Sequence, residues 1–407
     1  MTSRPSAAEA HRIGPRRLLM LLGGRATFRL LLYGSAGVLV AAWSQEDFNR
    51  YAAAIGAASW LCMLVESGPE KAALTLIPRA RRTREQIAGM LRAVVAYVPL
   101  PFVAAAAVAL LLAPGSQAAL FLLAAAYYVA VGCGMLGVAV HRALSRYSRD
   151  TAYSSLLGFG MLGMAWLAFA VPLPPAGYLV GLLALVTTLN MVLVRGLPRG
   201  GGAPHRMLRG VLARTAVLMG AADVMANATI GTLFVELSLT SYADQSGDLY
   251  LMTLGWGFAV SVVYTLQRIY QPRLALRMGV DGQSGAAAKT RALVRRVVRV
   301  SVWGSGLWLV LAGAALAGGL AGTRSLVVLV ALLASLLPGN ALASFGMFVL
   351  ENTGEAGMRN SAKAVVLAWA VVTVLGALVI PFAGAAGAVY SLGAQGLVVG
   401  LVLRKHL

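Results

Sequence analysis

Asp223 is the residue whose type and position most invite chemistry. It lies about ten residues into an apolar stretch at 213–238, roughly 15 Å deep at 1.5 Å per residue. An ionisable group at such depth is costly, which makes it a candidate for function. Asn227 follows one helical turn later on the same face. The pair suits a proton or cation site, or a polar contact to cargo in a cavity. An interhelical hydrogen bond that only holds helices together is the other reading. Glu236, near the far end of the same stretch, is a second carboxyl for a coupling ion or an interfacial group. Arg25 and Arg29 are spaced i, i+4, and Tyr33 continues their stripe. Planar guanidinium donors bind oxygens in pairs, as a diphosphate presents them. Snorkelling of both arginines to an interface is the alternative. Arg268 beside Gln267, Asn190, and the Tyr127-Tyr128 pair add polar groups that could line a path. Pro338-Gly339-Asn340 interrupts a stretch at 325–350, as a hinge or as a static kink.

Other motifs are set aside. Gly132-x-Gly134-x-x-Gly137 and Gly158-x-Gly160-x-x-Gly163 match the dinucleotide fingerprint, but neither follows a predicted strand; close helix packing is the better reading. Lys289-Thr290 lacks the glycines of a P-loop. His11, His141, His205 and His406 are scattered without metal-ligand spacing, and Cys62 and Cys133 lie inside apolar stretches as packing residues. No metal and no cofactor are expected.

Twelve apolar stretches must position these groups: 26–43, 51–67, 91–113, 117–140, 151–171, 176–194, 213–238, 249–267, 297–320, 325–350, 362–380 and 383–403. Most have the roughly 17–25 residues that carry a helix across a bilayer core. With each assigned to its nearest connection, 32 of the 34 Lys and Arg residues belong to the amino-terminal segment, the tail and alternate connections. Only Arg50 and Arg324 are left for the other side. The positive-inside rule then puts both termini in the cytoplasm. Hydrophobic residues make up 59% and charged residues 12%, which excludes an ordinary soluble domain. The net charge of +20 sits in short juxtamembrane loops, so anionic membrane lipids are the expected partners and nucleic acid is not. Residues 1–25 read as a cytoplasmic or interfacial lead-in without a cleavage site.

The outward connections leave room for turns only, and two are acidic, at Glu46-Asp47 and at Asp244 and Asp248. Tyr51 and Gly56 are offset by 199 from Tyr250 and Gly255, close to half the chain. This predicts an all-α polytopic membrane protein of about twelve helices, in two six-helix lobes related by a parallel repeat. The lobes span 26–194 and 213–407, joined by a cytoplasmic linker at 195–212 rich in glycine and proline.

Gln45-Glu46-Asp47-Phe48-Asn49-Arg50-Tyr51 resembles the acidic-aromatic-Gly-x-Tyr turn after the first helix of the polysaccharide-biosynthesis (O-unit, Wzx-type) flippases, with Asn49 where glycine is usual. Glu66-Ser67-Gly68-Pro69-Glu70-Lys71, followed by Ile77-Pro78-Arg79-Ala80-Arg81-Arg82, resembles their exit from the second helix. These flippases belong to the multidrug/oligosaccharidyl-lipid/polysaccharide exporter superfamily. The likeness covers about residues 26–85 and is architectural elsewhere. It implies a two-lobed transporter in a bacterial plasma membrane that alternates between inward- and outward-open states. The implied cargo is a lipid-linked oligosaccharide or another envelope precursor, handled alongside glycosyltransferases or a glycan polymerase. In related lipid II flippases cavity arginines meet the lipid diphosphate, a role that would fall to Arg29. A proton- or sodium-coupled small-molecule exporter of the multidrug type is the alternative. A membrane polysaccharide polymerase or ligase is a third, disfavoured because no outward loop is long enough to hold catalytic residues.

Impermeant thiol labelling checks the orientation in a background without Cys62 and Cys133. A cysteine replacing Asp47 is expected to react in intact cells, whereas one replacing Arg199 reacts only after lysis. Labelling at position 199 from outside would invert the topology.

Overall fold

The computed structural model describes residues 15–78, 80, 82–146, 148–199, 206–257, 260, 285–320, 326–351 and 355–406. Almost all of these are helical, and none is a strand. This is what a bilayer imposes on an open chain, because a helix satisfies its backbone hydrogen bonds internally. The chain is an all-α polytopic membrane protein.

In chain order the helices are α1 (Pro15–Ala42), α2 (Gln45–Ala58), α3 (Trp60–Leu76), α4 (Arg84–Tyr97), α5 (Pro99–Leu112), α6 (Gln117–Ala143), α7 (Ser148–Ala170), α8 (Pro175–Arg195) and α9 (Arg206–Ser238). Residues 246–257 form α10, followed by α11 (Gly285–Ala315), α12 (Leu326–Glu351) and α13 (Glu355–His406). Nine helical stretches among the described residues are long and apolar enough to cross a membrane; one joins α2 to α3 and another α4 to α5. A shorter apolar part of α1, Thr27–Ala42, adds to these.

Several limits differ from the sequence-based ones. The lead-in is not separate: α1 starts at Pro15, a residue suited to the first helical position, and runs unbroken into the first span. Likewise α9 starts at Arg206, inside the segment expected to be linker. The acidic connection expected to face outward is the first turn of α2. Ser44 caps it by accepting from the Asp47 N–H at 3.1 Å, and Glu46 and Asp47 sit where the helix dipole favours negative charge.

The 52 residues of α13 would measure about 78 Å as one rod, more than twice the bilayer core. Gly384 breaks the rod, with φ at 55°. A Cβ on Gly387 would lie 3.0 Å from the Val379 carbonyl oxygen, an approach open to residues that far apart only if the chain turns back. The expected turn at 381–382 therefore falls two residues later, and α13 holds the last two spans.

Helices α1–α8 pack chiefly with one another. At their centre is α6, touching α2, α3, α4, α5, α7 and α8. Its small residues allow this: a Cβ on Gly132 would come 2.6 Å from the Cys62 carbonyl oxygen, and one on Gly134 would strike Tyr153. The fingerprint glycines of α6 are thus packing residues. In the second group α11, α12 and α13 pack pairwise, and α9 lies against α13. Outside, the polarity of a soluble protein is inverted. Leu112, Trp303, Val310 and Phe382 are exposed, and α5 buries only Ala106.

Replacing Gly384 by Ala forces an unfavourable backbone and drives a methyl group into Gln245. The expected cost is about 1–3 kcal/mol. Gly304→Ala, in the open, should cost nothing by comparison. Thermal unfolding of the purified proteins tests this; equal melting temperatures would contradict it.

Candidate functional site

The two helix groups meet along α2, α3 and α9. Ser59 separates α2 from α3 and its hydroxyl donates to the Gly56 carbonyl at 2.8 Å. Pro69 sits inside α3, where it removes one backbone hydrogen bond without ending the helix. Between Gly56 and Lys71 the chain runs antiparallel to α9, with Gly56 beside Phe234 and Lys71 beside Met219. Glycines make the approach possible. Phe234 covers Gly56, Trp60 covers Gly231, and a Cβ on Gly220 would lie 2.7 Å from the Gly68 Cα. The Ser67 hydroxyl donates to the Gly220 carbonyl at 3.5 Å.

Next to this backbone contact is an ion pair. Lys71 Nζ lies 2.8 Å from Asp223 Oδ2 and donates to the Met219 carbonyl at 3.0 Å. Toward the start of α9, no residue from Arg206 to Thr215 is buried. Toward the other end of these helices the contact is aromatic. Tyr51 packs edge-on against Tyr178 and Tyr250 at 5.8 and 6.0 Å, and Trp43 and Phe48 complete the cluster. Asn49 adds a polar tie across the groups, its Oδ1 accepting from the Gly247 N–H at 3.0 Å.

A second crossing joins α1 to α10. Arg29 Nη1 donates to the Gly257 carbonyl at 2.9 Å, and the Tyr33 hydroxyl donates to the Leu254 carbonyl at 3.0 Å. Arg29 lies 13 residues from the carboxy-terminal end of α1 and Asp223 15 from that of α9. Both are about 20 Å below those ends. A cation and an ion pair thus bridge the two groups at about one depth, with the Tyr33 phenol one helical turn nearer the end of α1.

No protein-family profile matches the chain, and no curated protein matches its sequence. Solved structures do. An inward-facing multidrug resistance MATE family transporter of the MOP superfamily superposes with a TM-score of 0.59, over 95% of this chain and 93% of that one, at 9% identity. A MOP superfamily transporter from Pyrococcus furiosus, whose binding pocket is described as having reverse polarity, gives 0.55 over 96% and 93%, also at 9% identity. The chain shares the fold of these two transporters.

Within that fold the expected site residues separate. Asp223 is not a lone carboxyl but half of an ion pair, and its partner, Lys71, was read as a loop charge beyond the second span. The signal was there: Gly68-Pro69 looks like a helix stop, yet α3 runs on for seven more residues. Asn227 stays on its own helix, its amide donating to the Asp223 backbone carbonyl at 2.9 Å. Asn190 does not line a path between the groups. It is buried among α1–α8, donating to the Ala130 carbonyl at 2.7 Å and accepting from the Tyr153 hydroxyl at 3.2 Å. Such satisfied amides hold helices together. Tyr127, buried, contacts Met161 and lies against the tilted ring of Tyr128. Glu236 packs against Gly376 of α13, and its Oε2 has no hydrogen-bond partner among the described residues. α12 stays helical through Pro338, and the Gly339 carbonyl accepts from the Ser301 hydroxyl at 2.9 Å. Arg268 and the Arg25 side chain lie outside what the structure describes.

A methyl group on Gly68 would collide with the Ala216 carbonyl. Gly68→Ala should therefore push α3 off α9 and destabilise the protein by about 1–3 kcal/mol. Gly37→Ala, facing open space, is the control. Equal thermal stability of the two variants would remove α3–α9 packing as a determinant.

Proposed function

We propose that this protein exports a lipid-linked oligosaccharide or related envelope precursor across a bacterial plasma membrane by alternating access. The observation that carries the reading is the pair of cations, Arg29 and Lys71, both reaching across the two helix groups. Cationic groups at this depth suit an anionic head that must leave water, because they offset its desolvation. A site for cationic drugs would call for the opposite balance. The fold shared with those two transporters supports a two-lobed transporter, and so does the contact of Tyr51 with Tyr250. These are equivalent positions of the proposed repeat, and a residue meets its own equivalent only near the axis relating the lobes.

A second reading, a proton- or sodium-coupled small-molecule exporter, is favoured by one observation: the Glu236 carboxyl, whose Oε2 is without a hydrogen-bond partner among the described residues. It offers a titratable group for coupling in either kind of transporter. Catalysis is the weakest reading, since the outward connection before α10 is a short turn folded against α2 and α13.

Export of surface glycan separates the first two. Arg29→Ala should lower it at least tenfold, and Arg29→Lys should restore part, because lysine lacks paired donor geometry. Full export by Arg29→Ala at normal membrane abundance would overturn the diphosphate clamp and favour the small-molecule exporter.

A further inference from the structure

Glu70 and Lys71 are neighbours on α3 with partners in different places. Glu70, 5% exposed, faces Arg142 of α6 at 3.4 Å, and Arg142 faces Asp150 of α7 at 3.1 Å. This buried triple fixes the carboxy-terminal part of α3 to the first helix group. Lys71 reaches the other way, to Asp223 and the Met219 carbonyl of α9. The triple is closed in. The Lys71–Asp223 pair is not: 30% of the lysine side chain and 27% of the aspartate side chain are exposed. It borders the stretch of α9 in which no residue is buried.

We infer that Lys71 is an oxyanion-binding residue and that Asp223 is its internal counter-ion, displaced by the diphosphate of the cargo. The inference rests on the proposed cargo. An ammonium at this depth needs a negative partner, and without cargo Asp223 supplies one. A phosphate oxygen can take the same place on a compact three-donor cation. The exchange keeps Lys71 paired but removes the electrostatic tie between α3 and α9. Cargo thus interacts differently with the tied and untied arrangements, which is what a ligand needs to shift a conformational equilibrium. A cationic or neutral molecule would leave the tie in place.

The test uses the full chain in lipid nanodiscs, titrated calorimetrically with inorganic pyrophosphate. Asp223→Asn removes the competitor and should tighten binding about tenfold. Lys71→Gln should weaken it by a similar factor, and the double variant should bind no tighter than Lys71→Gln alone. Asp223→Asn binding no tighter than wild type overturns the inference, as does equal binding by all four proteins. If a single variant does not fold, the swapped pair Lys71→Asp with Asp223→Lys retains the ion pair and should bind within a few-fold of wild type; complete loss of binding would count against the exchange. Competition identifies the source. A polyisoprenyl diphosphate in the nanodisc should displace pyrophosphate, whereas displacement by ADP alone overturns a lipid-borne ligand. The cargo reading fails separately: loss of the gene would leave surface glycan unchanged while the affinity pattern holds.

Discussion

The approach of two helix backbones at Gly68 and Gly220 is the contact on which the rest depends. Lipid tails are as apolar as leucine, so helices gain little by hiding apolar side chains from them. Close contact over small residues and a few polar ties do the joining instead. The α3–α9 line follows this rule from Phe234 over Gly56, through Trp60 over Gly231, to Gly68 against Gly220. Only because the backbones are that close can Lys71 reach both Asp223 and the Met219 carbonyl. The site is a by-product of missing side chains.

The distribution of charge over the helices has a similar logic. Glu70, Arg142 and Asp150 form a closed triple inside one helix group, where an ion left alone would be strongly destabilising. Lys71 and Asp223 are split between groups and stay partly open. Adjacent positions on one helix therefore serve opposite ends, one holding α3 in its group and one linking that group to the next. Buried amides such as Asn190 belong with the first kind.

Much of the architecture was legible in the sequence because bilayers restrict the options. Alternating apolar stretches and the sorting of arginine announce a polytopic helical chain, and the depth of Asp223 follows from its place in the seventh stretch. What was not legible turns on residues with two meanings. Pro69 can stop a helix or sit within one, and ending the second stretch at 67 left Lys71 outside it. Glu46 and Asp47 suit a loop as well as a first helical turn, and only the Ser44 cap decides between them. Asn190 illustrates the limit for polar residues. Depth shows that an amide needs a partner, but not whether that partner is Tyr153 or a ligand.

The aromatic cluster gives the molecule a lever arm. Tyr51, Tyr178 and Tyr250 interlock near one end of the helices, while Lys71 and Asp223 meet about 20 Å from that end. If the helix groups tilt about the cluster, displacement grows in proportion to that length. A turn of about 10° moves groups at that radius by roughly 3–4 Å, a small angle for a rigid-body transition. That is more than the 2.8 Å that joins the ion pair. The aromatic rings themselves would shift by little more than their own packing tolerance.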